Sequence, residues 1–235
     1  MSAVVFPRIY QCSVVSAQCS MLKTLLCLDS ADIAASRRRE LDVPKSVAAA
    51  LGKSALEAAS TGYYVHGASE RVDWRRGVQA ACKLYRTIVG DPMYVEHRKR
   101  SRAASTDWAI YSPDVPAFRL DDGTELERPW RLSFITCAAP YAPAVGQPAA
   151  GDLLRHRIHR VLAIARAHGH SALVLGARGS GAFGNDAHRT ARDFRNALEN
   201  DFTGAFSDVV FAITDWSPER KFLGPFRDVF ASGDE

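Results

Sequence analysis

Leu173-Val-Leu-Gly-Ala-Arg-Gly-Ser-Gly-Ala-Phe-Gly-Asn-Asp186 decides how this chain is read: an apolar run empties into a loop with four glycines. Residues 171–175 read as a buried strand, because an unbroken run of leucine and β-branched residues bounded by glycine fits a sheet covered on both faces. The glycines at 176, 179, 181 and 184 leave a bend nearly free of Cβ atoms. Such a bend reaches positive φ and turns its N–H groups inward around an anion. Asn185 or Asp186 is placed to cap a helix starting near Ala187, which adds the positive end of a helix dipole. Glycines also gather where a chain simply turns sharply. Four exceed the need of one turn, and Phe183 in mid-loop calls for something to pack on, a ligand ring or sugar being one candidate. The bend reads as a cradle for a phosphate or diphosphate.

Two familiar phosphate loops do not fit. No Lys-Ser/Thr pair follows the last glycine, so the P-loop pattern fails. Gly179-Ser-Gly-Ala-Phe-Gly184 spells the dinucleotide fingerprint, but that fingerprint belongs to the first strand of its sheet, and about 50 residues remain here.

A chain of 235 residues with 47% apolar composition is long enough for one substantial core. It reads as a single domain over residues 1–235, with residues 1–45 an N-terminal elaboration. The net charge of +4 suits an anionic ligand, and Glu96-His-Arg-Lys-Arg-Ser-Arg102 concentrates bases in a run that reads as a solvated face or a phosphate-backbone contact. Five cysteines at 12, 19, 27, 82 and 137 show no metal spacing and read as reduced thiols. No stretch approaches a membrane span, and the opening residues lack the layout of a signal peptide. The chain is expected in the cytoplasm, with no membrane contact.

Further elements follow from pattern. Residues 4–10 suggest an edge strand, with Pro7 keeping it from a sheet centre. Residues 20–28 and 46–59 read as helices, and 63–73 as a hairpin whose Asp73 caps a helix over 74–89. A strand at 108–111 leads into an extended connection set by Pro113 and Pro116. Residues 117–120 and 130–136 flank the turn Asp121-Asp-Gly123. A helix over 151–168 carries a basic face of Arg155, His156, Arg157, His159, Arg160 and Arg166. Helices over 187–199 and about 218–230 bracket a strand at 209–214. This alternation predicts an α/β sandwich with a largely parallel sheet centre, whose ligand lies where the loops after Thr136, Leu175 and Thr214 converge.

Three segments carry a resemblance. Thr106-Asp-Trp-Ala-Ile-Tyr-Ser-Pro-Asp-Val-Pro-Ala-Phe-Arg119, Ser133-Phe-Ile-Thr-Cys-Ala-Ala-Pro140 and Gly169-His-Ser-Ala-Leu-Val-Leu-Gly-Ala-Arg-Gly-Ser-Gly-Ala-Phe-Gly-Asn185 resemble, in that order, the bacterial-type poly(ADP-ribose) glycohydrolases, a branch of the macrodomain superfamily. The resemblance implies a macrodomain-like three-layer α/β/α sandwich with a mixed central sheet, with ADP-ribose as ligand or product and no cofactor. It places Gly176, Gly179, Ser180, Gly181, Ala182, Phe183 and Gly184 around the diphosphate and distal ribose, with Asn185 closing the loop. Ala138, Ala139 and Pro140 would line the nearby wall, Tyr141 standing where the family more often has asparagine. Asp215 or Trp216 would meet the adenine or its ribose. Arg178, where the family usually has a large apolar residue, would bond the diphosphate or point outward.

The departure is as informative. The glycohydrolases carry Gly-Gly-Gly and a Gln-Glu-Glu loop whose glutamate protonates the leaving oxygen; this chain contains neither. Two alignments are open: one puts Trp74-Arg-Arg76 in place of Gln-Glu-Glu, the other removes that loop altogether. Cleavage would then rest on a water held near the diphosphate, assisted by Glu70, Asp73 or Gln79, with Asp107 and Asp114 read as turn and cap residues. The expected activity is removal of mono-ADP-ribose from a modified protein side chain or nucleic-acid base, with little action on the polymer. The alternative is a non-catalytic reader of ADP-ribose. The histidines, His66 and His188 among them, form no ligand set, so no metal is expected.

Overall fold

The computed structural model describes residues 2–5, 14–17, 46–47, 49–50, 53, 63–66, 70–73, 90–99, 102–119 and 125–231. In chain order the elements are β1 Ser2–Val5, β2 Val14–Ala17, β3 Tyr63–His66, β4 Glu70–Asp73, α1 Pro92–Lys99, β5 Ala109–Arg119, β6 Glu125–Cys137, α2 Ala142–Val145, α3 Ala149–Ala167, β7 Ala172–Leu175, α4 Ala187–Asn196 with a π turn over Ala197–Asp201, β8 Asp208–Ala212 and α5 Leu223–Ala231. Helical backbone is also present at 46–47, 49–50 and 53; the rest of the helix read at 46–59 lies outside the described residues, as do those read at 20–28 and 74–89.

Six strands form the main sheet in the order β2-β8-β7-β1-β6-β5, and β3 pairs with β4 as a separate hairpin. The sheet is mixed, but the expectation of a largely parallel centre is corrected: among the described strands only β7 and β8 pair parallel. Crossover helices α3 and α4 do set β6, β7 and β8 in one direction, as right-handed crossovers require. β1 threads between β6 and β7, antiparallel to both. The edge-strand reading of residues 4–10 is likewise corrected. β1 is interior, with Val4 opposite both Phe134 and Val174, and residues 6–10 lie outside the described residues. Residues 1–45 thus supply integral strands, since β2 also pairs with β8.

The prolines act elsewhere. In place of a strand, a connection and a second strand, β5 is one 11-residue strand whose register shifts between Ser112 and Val115, with Asp114 at φ 50. β5 is the outermost strand, where a proline costs no ladder bond and a bulge is tolerated.

The pleat of β6 divides the core. Leu132 and Phe134 join Ile110, Val115 and α1 Met93 on one face. Ile135 and Cys137 join Leu173, Leu175, Val209 and Phe211 on the other, under Ile158 and Leu162 of α3, Phe194 of α4 and Phe226 of α5. Helices cover both faces, giving the three-layer α/β/α sandwich. No helix among the described residues is long and apolar enough to cross a membrane.

Candidate functional site

Because β6, β7 and β8 run the same way, the loops after Cys137, Leu175 and Ala212 open on one edge of the sheet. The glycine bend is the middle one. It is folded by its own backbone: Arg178 N–H donates to Gly176 O at 2.7 Å, Ser180 N–H to Ala177 O at 3.1 Å, Gly184 N–H to Gly181 O at 2.9 Å and Asn185 N–H to Gly179 O at 3.0 Å. Two glycines are needed for this path. Gly179 has φ 73 and a Cβ there would lie 2.8 Å from Asn185 Nδ2 and 3.0 Å from Ala139 Cβ; Gly184 has φ 63 and a Cβ would lie 3.2 Å from Pro143. Gly181 is different, since a Cβ there meets nothing within 4 Å. Among the described residues, the N–H groups of Gly179, Gly181, Ala182 and Phe183 have no partner. The buried hydroxyl of Ser180 and Oδ1 of buried Asn185 also lack one. A run of unpaired N–H groups beside a helix start is the arrangement that binds phosphate oxygens.

Asn185 locks the bend to its neighbour. Its Nδ2 donates to Pro140 O at 2.9 Å and to Gly179 O at 3.1 Å, which holds Ala138, Ala139 and Pro140 against the glycines. Asp186, not Asn185, caps α4, accepting from Arg189 N–H at 2.8 Å. Ala142 N–H donates to Phe183 O at 2.9 Å, and the Phe183 ring stays 39% exposed rather than packed.

Arg178 does not point outward. Its guanidinium turns inward and is buried; Nη2 donates to Cys137 O at 2.8 Å and Ala138 O at 3.1 Å, while Nε has no partner. Burial, the largest influence, pulls its pKa below the usual arginine value. Arg157 is also corrected: it is 1% exposed, not part of a solvated basic face. It donates to Asp107 Oδ1 at 3.0 Å and to the carbonyls of Ala104 and Ala138. Asp107 is thereby an ion-pair partner, and Asp114 sits in the β5 bulge with its N–H on Ser133 Oγ at 3.3 Å. The sequence did carry a signal, because Arg157 is three residues after Leu154 and four before Val161, on the apolar stripe of α3.

Between the loops after β7 and β8 lies a cavity of about 350 Å³, lined by Leu175, Gly176, Arg178, Gly181, Ile213 and Phe222 among others. Its size falls in the range of small-molecule sites. Asp215 does not present a carboxylate to it. Oδ1 accepts from Ser217 N–H at 3.0 Å and Ser217 Oγ–H at 2.6 Å, and Oδ2 from the N–H groups of Phe222 at 2.7 Å and Leu223 at 3.0 Å. Burial alone would raise its pKa, but the Ser217 hydroxyl and the Leu223, Phe222 and Ser217 amides outweigh that and hold it at about 2. These bonds fold residues 215–222, so α5 begins at Leu223 rather than near Pro218. Glu70 and Asp73 are the first and last residues of β4 in the separate hairpin, and Gln79 lies outside the described residues. His97 Nε2 is 2.7 Å from Thr106 Oγ1, and His156, His159 and His188 are exposed.

No protein-family model and no curated protein matches this sequence. Solved structures do. Poly(ADP-ribose) glycohydrolase from Deinococcus radiodurans in complex with ADP-ribose is 40% identical, over 63% of this chain and 64% of that one, with a TM-score of 0.59. The same enzyme in apo form is 41% identical, over 63% and 65%, with a TM-score of 0.59. Poly(ADP-ribose) glycohydrolase from Thermomonospora curvata is 26% identical, over 79% of this chain and 100% of that one, with a TM-score of 0.67. The chain therefore resembles bacterial-type poly(ADP-ribose) glycohydrolases and has their macrodomain-like α/β fold, while spanning 64% of the length of the Deinococcus protein.

Proposed function

We propose that this protein binds ADP-ribose and is a hydrolase of the glycohydrolase class, releasing mono-ADP-ribose from a modified protein side chain or nucleic-acid base. The observation that carries the reading is the bend at residues 179–183: four unpaired N–H groups and an open side at Gly181, on the sheet edge of a fold whose solved likeness holds ADP-ribose. The amides and the α4 N-terminus would take the diphosphate, and Phe183, exposed over the bend, would brace the distal ribose. A water held against a diphosphate oxygen would then add to the anomeric carbon of that ribose as the bond to the leaving group breaks. Glu70, Asp73 and Gln79 are the assisting groups that the sequence offers, and exchanging each for alanine reads their share in turnover.

Calorimetry with ADP-ribose tests the cradle. Incubation with substrates modified on acidic side chains or on DNA bases tests turnover, with slow or no release expected from poly(ADP-ribose). Absence of ADP-ribose binding overturns the reading. The lack of Gly-Gly-Gly and Gln-Glu-Glu favours a second one, a non-catalytic reader, which binding without release from any substrate would establish.

A further inference from the structure

Among the described residues, the exposed large hydrophobic side chains are Val47, Trp108, Tyr141, Phe183 and Trp216. All four aromatics stand on the edge that carries the glycine bend. Trp216 follows β8, Phe183 follows β7, Tyr141 follows β6, and Trp108 precedes Ala109, which faces the last residue of β6, Cys137. The strand order therefore sets them in the row Trp216, Phe183, Tyr141, Trp108. Backbone bonds tie the row together, from Tyr141 N–H to Ala103 O at 2.8 Å and from Ala142 N–H to Phe183 O at 2.9 Å. Exposed cations lie beside it: Lys99 and Arg102 ahead of Trp108, and Lys221 in the Trp216 loop. The carboxylates of this edge are mostly engaged within the chain, Asp107 by Arg157, Asp152 by Arg189, Asp186 as a cap and Asp215 by four donors, although Asp107, Asp186 and Glu219 stay exposed.

We propose that this edge docks single-stranded nucleic acid, so that the hydrolase inferred above acts on ADP-ribose attached to such a strand; the inference rests on that reading of the glycine bend. Exposed rings interleaved with cations take base faces and phosphates together. Four strand spacings of ~4.8 Å separate β8 from β5, so the row extends over about 19 Å. A duplex keeps its base faces stacked inside, so rings take bases from a single strand. An apolar peptide would use the rings but leave the cations without a role.

Fluorescence anisotropy with a labelled oligothymidylate, its duplex with oligoadenylate, an Asp/Glu-rich peptide and poly(ADP-ribose) tests the proposal on the full chain. The single strand is expected to bind more tightly than the other three, with affinity falling as salt rises. Trp108→Ala should weaken it roughly 5- to 100-fold, the weight of one stacked base, while calorimetric affinity for ADP-ribose stays unchanged. Tyr141→Ala reads the same loss if Trp108→Ala does not fold. Equal binding of duplex and single strand, insensitivity to loss of the ring, or preference for the peptide or the polymer overturns the proposal. Oligonucleotide binding without ADP-ribose binding would sink the reading of the glycine bend; ADP-ribose binding without the oligonucleotide would sink the docking edge alone.

Discussion

Gly181 separates what the glycine bend does for folding from what it does for a ligand. Its φ is not in the left-handed region and a Cβ there meets nothing within 4 Å, so a side chain can be added without moving the backbone. Gly181→Ala should raise stability by about 0.4–1 kcal/mol, because the unfolded chain loses freedom that the folded one never used. Gly181→Glu keeps that backbone and sets a carboxylate where the diphosphate is proposed to lie. Two unit charges ~4 Å apart repel by about 1 kcal/mol in bulk water and about 4 kcal/mol near a protein surface. A diphosphate carries more than one charge, so affinity for ADP-ribose should fall at least ~10-fold and up to ~1000-fold. Gly179→Ala is the contrast. Its φ of 73 and the 2.8 Å approach to Asn185 Nδ2 force a shift worth about 1–3 kcal/mol, or roughly 2–4 °C in Tm per kcal/mol for a chain of this size. Thermal melts and calorimetry read both arms. Wild-type affinity in a folded Gly181→Glu protein would remove the bend as the diphosphate site, and a collapse of its Tm would show that the space beside Gly181 is not open.

Asn185→Ala should cost about 1–3 kcal/mol in urea denaturation, since the buried Pro140 carbonyl loses its donor and the Gly179 carbonyl keeps only the backbone N–H of residue 185; a cost near zero would mean that the two loops hold together without it. Arg178→Met removes bonds to Cys137 O and Ala138 O but also a buried cation with an unpartnered Nε, so stability should change by no more than about 1–2 kcal/mol. ADP-ribose affinity should drop only roughly 3- to 10-fold as positive charge leaves the cavity wall; a loss beyond ~1000-fold would show direct contact. Asp215 titrates at about 2 when folded, against roughly 3.9 unfolded, so its contribution is complete above about pH 4 and is lost as pH falls toward 2. Asp215→Asn should flatten the acid limb of the stability curve over that window, and an unchanged limb would mean that the four donors do not hold the carboxylate.

The glycine bend, the strand before it and the helix after it are legible in the sequence because each is a local signal: an apolar run, residues without Cβ, a capping carboxylate. What depends on partners far along the chain is not. β1 is described over four residues, Ser2–Val5, too few for any local pattern to mark an interior strand; only its pairing with β6 and β7 does. The prolines at 113 and 116 read as a break because periodicity cannot tell an interrupted strand from an edge strand with a bulge. From residue type, Arg157 reads as a surface cation and Arg178 as a diphosphate ligand or an outward one, whereas their burial is set by carbonyls that β6 leaves at its C-terminal end. The row of exposed rings was unreadable for the same reason: Trp108 and Trp216 are neighbours of one edge only once the strand order is known.

That edge also bears on which bonds the proposed hydrolase could break. Two buried guanidiniums, Arg157 and Arg178, share the Ala138 carbonyl, and Arg157 alone is paired with a carboxylate, that of Asp107, itself half exposed. α3 and α4 both begin at this edge, since each runs opposite to β7, and so point their positive ends at it. Asp186 and Asp215, the carboxylates beside the bend, commit oxygens to capping and loop folding and are not placed as proton donors. Among the described residues of that edge, such a charge stabilises a departing anion and offers it no proton. Rates of ADP-ribose release should therefore fall steeply as the leaving group becomes more basic, carboxylate esters ahead of ring nitrogens and both far ahead of serine ethers. The measurement is a series of single-turnover rates against leaving-group pKa. A flat dependence would mean that a general acid reaches the bond after all, and the argument from the missing Gln-Glu-Glu loop would fall with it.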